Sequence, residues 1–175
     1  MGGSVGGVGF DNSRRWRPER CQENVWLTPE WLLQRVRHAF GGTIDLDPCT
    51  IPSNPCAARQ FITAPDDGLM LPWNGTVWCN PPFSAAALAK WVDKAYFEAG
   101  RHCRVLLLLP SRPETSYGQR ALRTADAVVF LSERVAFEGM TRDTAVPCTL
   151  FAYGVDIDAF ADVGVSMQRH NRGAA

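Results

Sequence analysis

The residues best suited to chemistry in this chain are Asn80-Pro81-Pro82-Phe83, which follow the apolar run Val77-Trp78-Cys79. Each proline fixes φ and removes a backbone donor, so two in succession stiffen the chain as it leaves that run. The residue before a proline is driven out of the α region, which keeps Asn80 extended. An amide side chain and an aromatic ring are thereby presented at a strand end, the edge where open α/β sheets bind ligands. The exocyclic amine of adenine is a double donor. The Asn80 carboxamide oxygen and the Pro81 carbonyl can accept both of its hydrogens, drawing the nitrogen toward an sp³ lone pair, while Phe83 stacks on the ring. Positioning and electrostatics carry most of such a reaction, and no side chain need be a strong base. The base must stand outside a duplex for its amine to be reached.

The elements that must hold this tetrapeptide alternate in type. Thr28 suits an N-cap and Pro29 the first helical position. Trp31, Leu32, Val36, Ala39 and Phe40 recur at helical spacing, and Gly41 suits the C-cap. A short strand is expected over 43–47, ending in Asp45-Leu46-Asp47-Pro48, followed by a proline-rich loop over 48–58 and a strand within 59–63. Pro65-Asp66-Asp67-Gly68 is a turn signal, and Thr76 to Cys79 is the strand that delivers Asn80. Ser84 caps a helix whose apolar stripe is Leu88, Trp91, Val92, Ala95 and Ala99, closed by Gly100. The run from Cys103 to Leu109, apolar apart from Arg104, is the kind buried on both faces of a parallel sheet. A helix over 116–123, a strand over 127–131 and late strands over 135–137 and 148–153 follow, the last two flanking a polar loop, Glu138 to Thr144. A short helix and a frayed tail are expected from about Asp162. This alternation predicts an α/β fold: a compact, mostly parallel sheet with an antiparallel edge and helices on both faces.

At 175 residues the chain reads as one domain over 24–160, with tails over 1–23 and 161–175. Formal net charge is zero, so nucleic-acid affinity has to come from local clusters of charge. Arg14, Arg15, Arg17 and Arg20 form one cluster and Arg35, Arg37 and His38 another, and both read as solvated faces. Trp73 and Trp78 read as core or pocket wall. No apolar run is long enough to span a bilayer, and the glycine-rich start lacks the order of regions that makes a secretory signal. The six cysteines form no Cys-x-x-Cys, and with three histidines they complete no zinc pattern. They read as small buried thiols of a reducing cytosol, with no metal.

Asn80-Pro81-Pro82-Phe83 matches the motif of S-adenosylmethionine-dependent amino methyltransferases, chiefly those acting on adenine N6 in DNA. The succession Trp26-Leu27-Thr28-Pro29, Asp45-Leu46-Asp47-Pro48, Asp67-Gly68-Leu69, Trp73, the tetrapeptide, Leu108-Leu109-Pro110 and Arg134-Val135-Ala136-Phe137 resembles the small phage-type, Dam-like members. The resemblance covers 26–153. It implies a Rossmann-like methyltransferase sheet and direct in-line methyl transfer from S-adenosylmethionine to a flipped adenine of DNA, in the cytoplasm of a bacterial or phage-infected cell. Asn80, Pro81, Pro82 and Phe83 would be catalytic. Thr28 and Pro29 would touch the methionine part of the cofactor, and Asp67, with Gly68 and Leu69, its adenine. Asp45, Asp47 and Pro48 would face cofactor as well. Asp47 is either the acid ending the first strand, which a glycine-rich turn should follow, or the second-strand acid that binds ribose hydroxyls.

The chain departs from the family pattern in three ways. No Gly-x-Gly follows Asp47, Phe83 stands where tyrosine is commoner, and no separate domain reads DNA sequence. Target reading then falls to loops over 111–117 and 138–144, with Arg112, Arg134 and Arg142 as candidates for phosphate or base contacts. The tetrapeptide also occurs in RNA and protein-glutamine amino methyltransferases, and the absent glycine turn leaves open a degenerate, non-catalytic DNA-binding fold.

Overall fold

A computed structural model of the chain describes residues 26–138 and 145–169. The expected tail over 1–23 with its arginine cluster, Cys21, loop residues 139–144 with Arg142, and His170 all lie outside the described residues.

Helix α1, Glu30–Ala39, buries Leu32, Leu33 and Val36 along one face. Its N-cap is Pro29, extended at ψ 148°, and not Thr28 as the sequence suggests, because the Thr28 hydroxyl is taken by another side chain. The helix ends in a Schellman motif, with Gly41 N–H on the His38 carbonyl, Gly42 N–H on that of Arg37 and Gly41 at φ +80°. Strands β1 (Leu46–Asp47) and β2 (Gln60–Phe61) are joined by an irregular crossover, and β3 is Thr76–Cys79. Helix α2 (Ala85–Ala99) leads to β4 (Arg104–Pro110), and α3 (Ser116–Thr124) to β5 (Ala127–Leu131). Strand β6 (Cys148–Tyr153), a 3₁₀ turn (Asp158–Phe160) and β7 (Gly164–Gln168) complete the chain.

The seven strands form one sheet in the order β2-β1-β3-β4-β6-β5-β7. The β2–β1, β1–β3 and β3–β4 ladders are parallel, and the β4–β6, β6–β5 and β5–β7 ladders antiparallel. The sheet is therefore mixed: β7 supplies the expected antiparallel edge, and β6 inserts between β4 and β5, so half of the ladders are antiparallel. Two late segments also differ from expectation. Residues 164–168 form β7 rather than a helix, and Val135 makes only an isolated bridge to Val146. No helix among the described residues is long and apolar enough to cross a membrane.

Val105 through Pro110 are buried without a break. Because successive strand residues face opposite sides, both faces of the sheet are covered. Helix α2 packs on β4 and α3, with Leu88, Trp91, Val92 and Ala95 turned inward. The Ser84 hydroxyl accepts the Ala87 N–H and opens α2 immediately after the tetrapeptide.

The turn containing Gly68 lies hard against the end of β1. A Cβ on Gly68 would stand 1.9 Å from the Pro48 carbonyl oxygen, a clash with backbone that no rotamer change relieves. Gly68→Ala is expected to cost about 1–3 kcal/mol, the range for overpacking, or roughly 2–4 °C of Tm per kcal/mol in a chain of this size. Thermal unfolding that matches the parent would show that this approach is not close in solution.

Candidate active site

Strand order reverses between β1 and β3: the chain leaves β1 for β2 on one side and returns to β3 on the other. Such a reversal opens a crevice at the carboxyl ends of the two strands, and a cavity of about 450 Å³ lies there. Asn80, Pro81, Pro82, Phe83, Thr28, Asp47, Pro48, Asp67 and Gly68 all line it. Residues from four separate stretches of sequence thus meet at one sheet edge.

The orientation of Asn80 is fixed by its own hydrogen bonds. Its Nδ2 donates to the Trp26 carbonyl at 2.7 Å and to Thr28 Oγ1 at 3.2 Å. A carbonyl can only accept, so turning the amide round would set oxygen against oxygen. Oδ1 is left buried with no partner among the described residues. A buried acceptor without a donor costs roughly 1–3 kcal/mol, so this atom marks a position for a donor from outside the protein. Beyond it, the Pro82 carbonyl takes the Ser84 N–H at 2.9 Å, whereas that of Pro81 accepts no hydrogen bond among the described residues. Phe83 is buried against Trp26, with centroids 5.3 Å apart, and meets Phe137 edge-on at 5.7 Å.

Asp47 ends β1 and is 5% exposed. Its Oδ1 accepts the Cys49 N–H and its Oδ2 the Cys56 thiol, both at 3.1 Å. Burial pushes its carboxyl above the ordinary range despite these donors. Asp67 sits at the exposed rim, where its Oδ1 accepts the Leu69 N–H at 2.9 Å. Among the described residues, the cavity wall carries three carboxylates, Asp47, Asp66 and Asp67, and no lysine, arginine or histidine. That wall favours a cationic ligand over a phosphate.

Three of the expected cofactor residues lie off the wall. Pro29 is the N-cap of α1, and the Leu69 side chain packs against the core. Asp45 lies at the other end of β1, away from the crevice: its Oδ2 accepts the Thr76 N–H and hydroxyl at 2.9 Å each, and Arg59 reaches its Oδ1 at 3.2 Å. These bonds, that from the Thr76 backbone foremost, hold its carboxyl below the ordinary range. Arg112 follows β4 on the same sheet edge as the tetrapeptide and pairs with Glu114. Arg134 follows β5 on that edge, and its Nη1 donates to the Ala145 carbonyl at 3.3 Å. Neither lines the cavity. Among the described residues, no group of three or more His, Cys, Asp or Glu side chains is placed to hold a metal ion. Trp26 and Cys56 carry parts that their sequence context gave little reason to assign. The only signal was an aromatic two residues before Thr28-Pro29.

The buried acid sets a stability cost. With its folded-state pKa above the ordinary 3.8, Asp47 keeps its proton to a higher pH in the folded chain than in the unfolded one. Stability therefore falls as pH rises from that value through the folded pKa, and at neutral pH the ionised group opposes folding. Asp47→Asn is expected to raise Tm at pH 7, by roughly 2–4 °C per kcal/mol gained, and to leave Tm nearer the parent's at pH 4. A Tm at pH 7 equal to or below the parent's would contradict this.

Two comparisons with known proteins bear on this site. A family model described as "DNA N-6-adenine-methyltransferase (Dam)" matches residues 17–150. A DNA N-6-adenine-methyltransferase of Haemophilus phage HP1 (strain HP1c1) is 27% identical over 122 residues, covering 68% of this chain and 69% of that protein. The family match runs through the crevice from Thr28 to Phe83 and on to β6, well over half of the sequence, and the chain belongs to the Dam family of DNA N-6-adenine methyltransferases.

Proposed function

We propose that the acidic side of the cavity takes S-adenosylmethionine and the Asn80 side takes an adenine turned out of the DNA helix, on a Rossmann-like sheet. The observation that carries this reading is Asn80 Oδ1, a buried acceptor held in place by two bonds to its own Nδ2 and left without a donor. The cofactor fits the wall. A volume of about 450 Å³ lies within the usual range of small-molecule sites, roughly 300–1,000 Å³, and three carboxylates without a cation suit a sulfonium-bearing ligand. When bound, S-adenosylmethionine supplies an electrophilic methyl group. Asp47 and Pro48 form the floor at the end of β1. No strand intervenes between β1 and β3, which supports Asp47-Pro48 as the exit from the first cofactor strand. The Pro48 crossover then stands where a glycine-rich turn would. Asp67 has Oδ2 unpaired among the described residues and can receive the adenine of the cofactor at the rim.

Toward DNA, Asn80 Oδ1 and the Pro81 carbonyl accept the two N6 hydrogens, so the nitrogen lone pair is turned out of the ring and held in line. Neither acceptor is basic enough to keep the proton that N6 loses on methylation, and it passes to water. Phe83 supplies the face on which the base rests. Arg112 and Arg134 stand on loops that can reach phosphates or base edges around the extruded base, and Arg142 is a further candidate for such contacts.

Asn80→Ala is expected to lower methylation of duplex DNA by about 10²–10³-fold, the loss typical of one preorganised polar group, while S-adenosylmethionine affinity by calorimetry stays close to the parent's. Retained activity would remove Asn80 from the mechanism. Asp67→Ala is expected to weaken cofactor binding by about 10–100-fold, as for a lost hydrogen bond to a charged group, and an unchanged Kd would remove Asp67 from the cofactor site.

A further inference from the structure

The cavity wall holds a second orphan. Trp26 Nε1 is buried and, like Asn80 Oδ1, has no hydrogen-bond partner among the described residues. The two orphans are coupled through the backbone, because the Trp26 carbonyl is the acceptor 2.7 Å from Asn80 Nδ2. The indole is seated in an aromatic group, 5.3 Å from Phe83 and 5.1 Å from Phe137 between centroids. Trp26 and Asn80 line the same cavity. Tyr117 carries the one other unpartnered buried side-chain atom among the described residues, and it does not line the cavity.

A missing acceptor and a missing donor on one cavity wall match the edge of an aminated base. The protein offers Asn80 Oδ1 to a donor and the Trp26 N–H to an acceptor. Adenine presents this pair, its exocyclic amine flanked by the ring nitrogens N1 and N7, and cytosine presents it as an amine beside N3. On the Watson–Crick edge guanine and thymine present a carbonyl and an N–H donor and would leave both orphans facing like groups, and on the N7 edge guanine would still set its O6 against Asn80 Oδ1; either mismatch costs far more than a lost methylene. Resting on the assignment of adenine to the Asn80 side, we propose that Trp26 is a specificity-determining residue: its Nε1–H donates to the ring nitrogen of the target base that neighbours the reacting amine. The same residue then does two things. Its carbonyl orients the Asn80 amide, and its indole reads the base that this amide engages. A lone carboxamide accepts from any amine, whereas the pair requires an amine and an acceptor nitrogen side by side.

The test crosses enzyme variant with base analogue. Modification mapping of DNA from expressing cells gives the target sequence. Duplexes of that sequence are then made with adenine, 1-deazaadenine or 7-deazaadenine at the methylated position. The parent enzyme is expected to lose about 10–100-fold in single-turnover rate on one of the two analogues, the one lacking the nitrogen that Trp26 reads. Trp26→Phe keeps an aromatic ring and removes the donor. It is expected to show a similar loss on adenine and little further loss on that same analogue, with S-adenosylmethionine affinity retained. Parent rates on both analogues equal to the rate on adenine would overturn the proposal even if Trp26→Phe failed to fold. So would losses that simply add, or a Trp26→Phe defect explained by weaker cofactor binding, which would move the indole to the cofactor side. Failure of the underlying assignment looks different: Asn80→Ala would then stay active on adenine.

Discussion

β1 and β3 lie side by side, and the chain reverses its direction of travel across the sheet between them. The site exists because of that adjacency. A two-residue strand is a weak partner, with Leu46 opposite Val77 as its register to β3. The Asp45 carboxylate reinforces it by taking both the backbone N–H and the hydroxyl of Thr76. Gly75 makes room for this clip: it has φ +64°, and a Cβ there would stand 2.4 Å from Asp45 Oδ2. Asp45 thus serves the cavity from the far end of the strand, by keeping the carboxyl ends of β1 and β3 together.

At the near end, function and stability pull in opposite directions. Asn80 Oδ1, Trp26 Nε1 and the carboxyl of Asp47 are all buried in states that the folded chain alone does not fully satisfy. Each would be better replaced if packing were the only concern. Their cost is carried by the surrounding frame, where Val77, Val105, Leu106 and Leu107 are fully excluded from solvent. A rigid sheet centre allows a few unsatisfied groups to persist at its edge without local collapse.

The sequence was legible where one local rule dominated. Proline pairs, helix stripes and a fully apolar run led to β3, α2 and β4 with boundaries within a residue or so, and to the tetrapeptide at a strand end. The family match bears out the acceptor: adenine in DNA, rather than the RNA or protein-glutamine alternatives, and an enzyme rather than a degenerate binding fold. What stayed hidden depended on partners far away in the chain. Thr28 reads as an N-cap on local grounds, but its hydroxyl is claimed by Asn80, 52 positions later. Strand β7 carries mostly exposed residues and no buried alternation, so its pairing with β5 has no periodic signature. Asp45 and Asp47 look equivalent in a row of acids. Only strand pairing sends one to the clip and the other to the cavity.

The composition of the cavity wall also bears on what it must refuse. A cell is rich in adenine nucleotides that share a nucleoside with S-adenosylmethionine and differ in carrying phosphates. The usual cradle for phosphate is a glycine-rich turn opening a helix, whose N–H groups and dipole attract anions. This chain has neither at the end of β1, where an irregular crossover begins with Pro48 and the buried Asp47 precedes it. Carboxylates on the wall, with no cation beside them among the described residues, would repel a triphosphate before shape is consulted. If S-adenosylmethionine occupies this wall as proposed, the absent glycine turn would act as a charge filter against the commonest competitors.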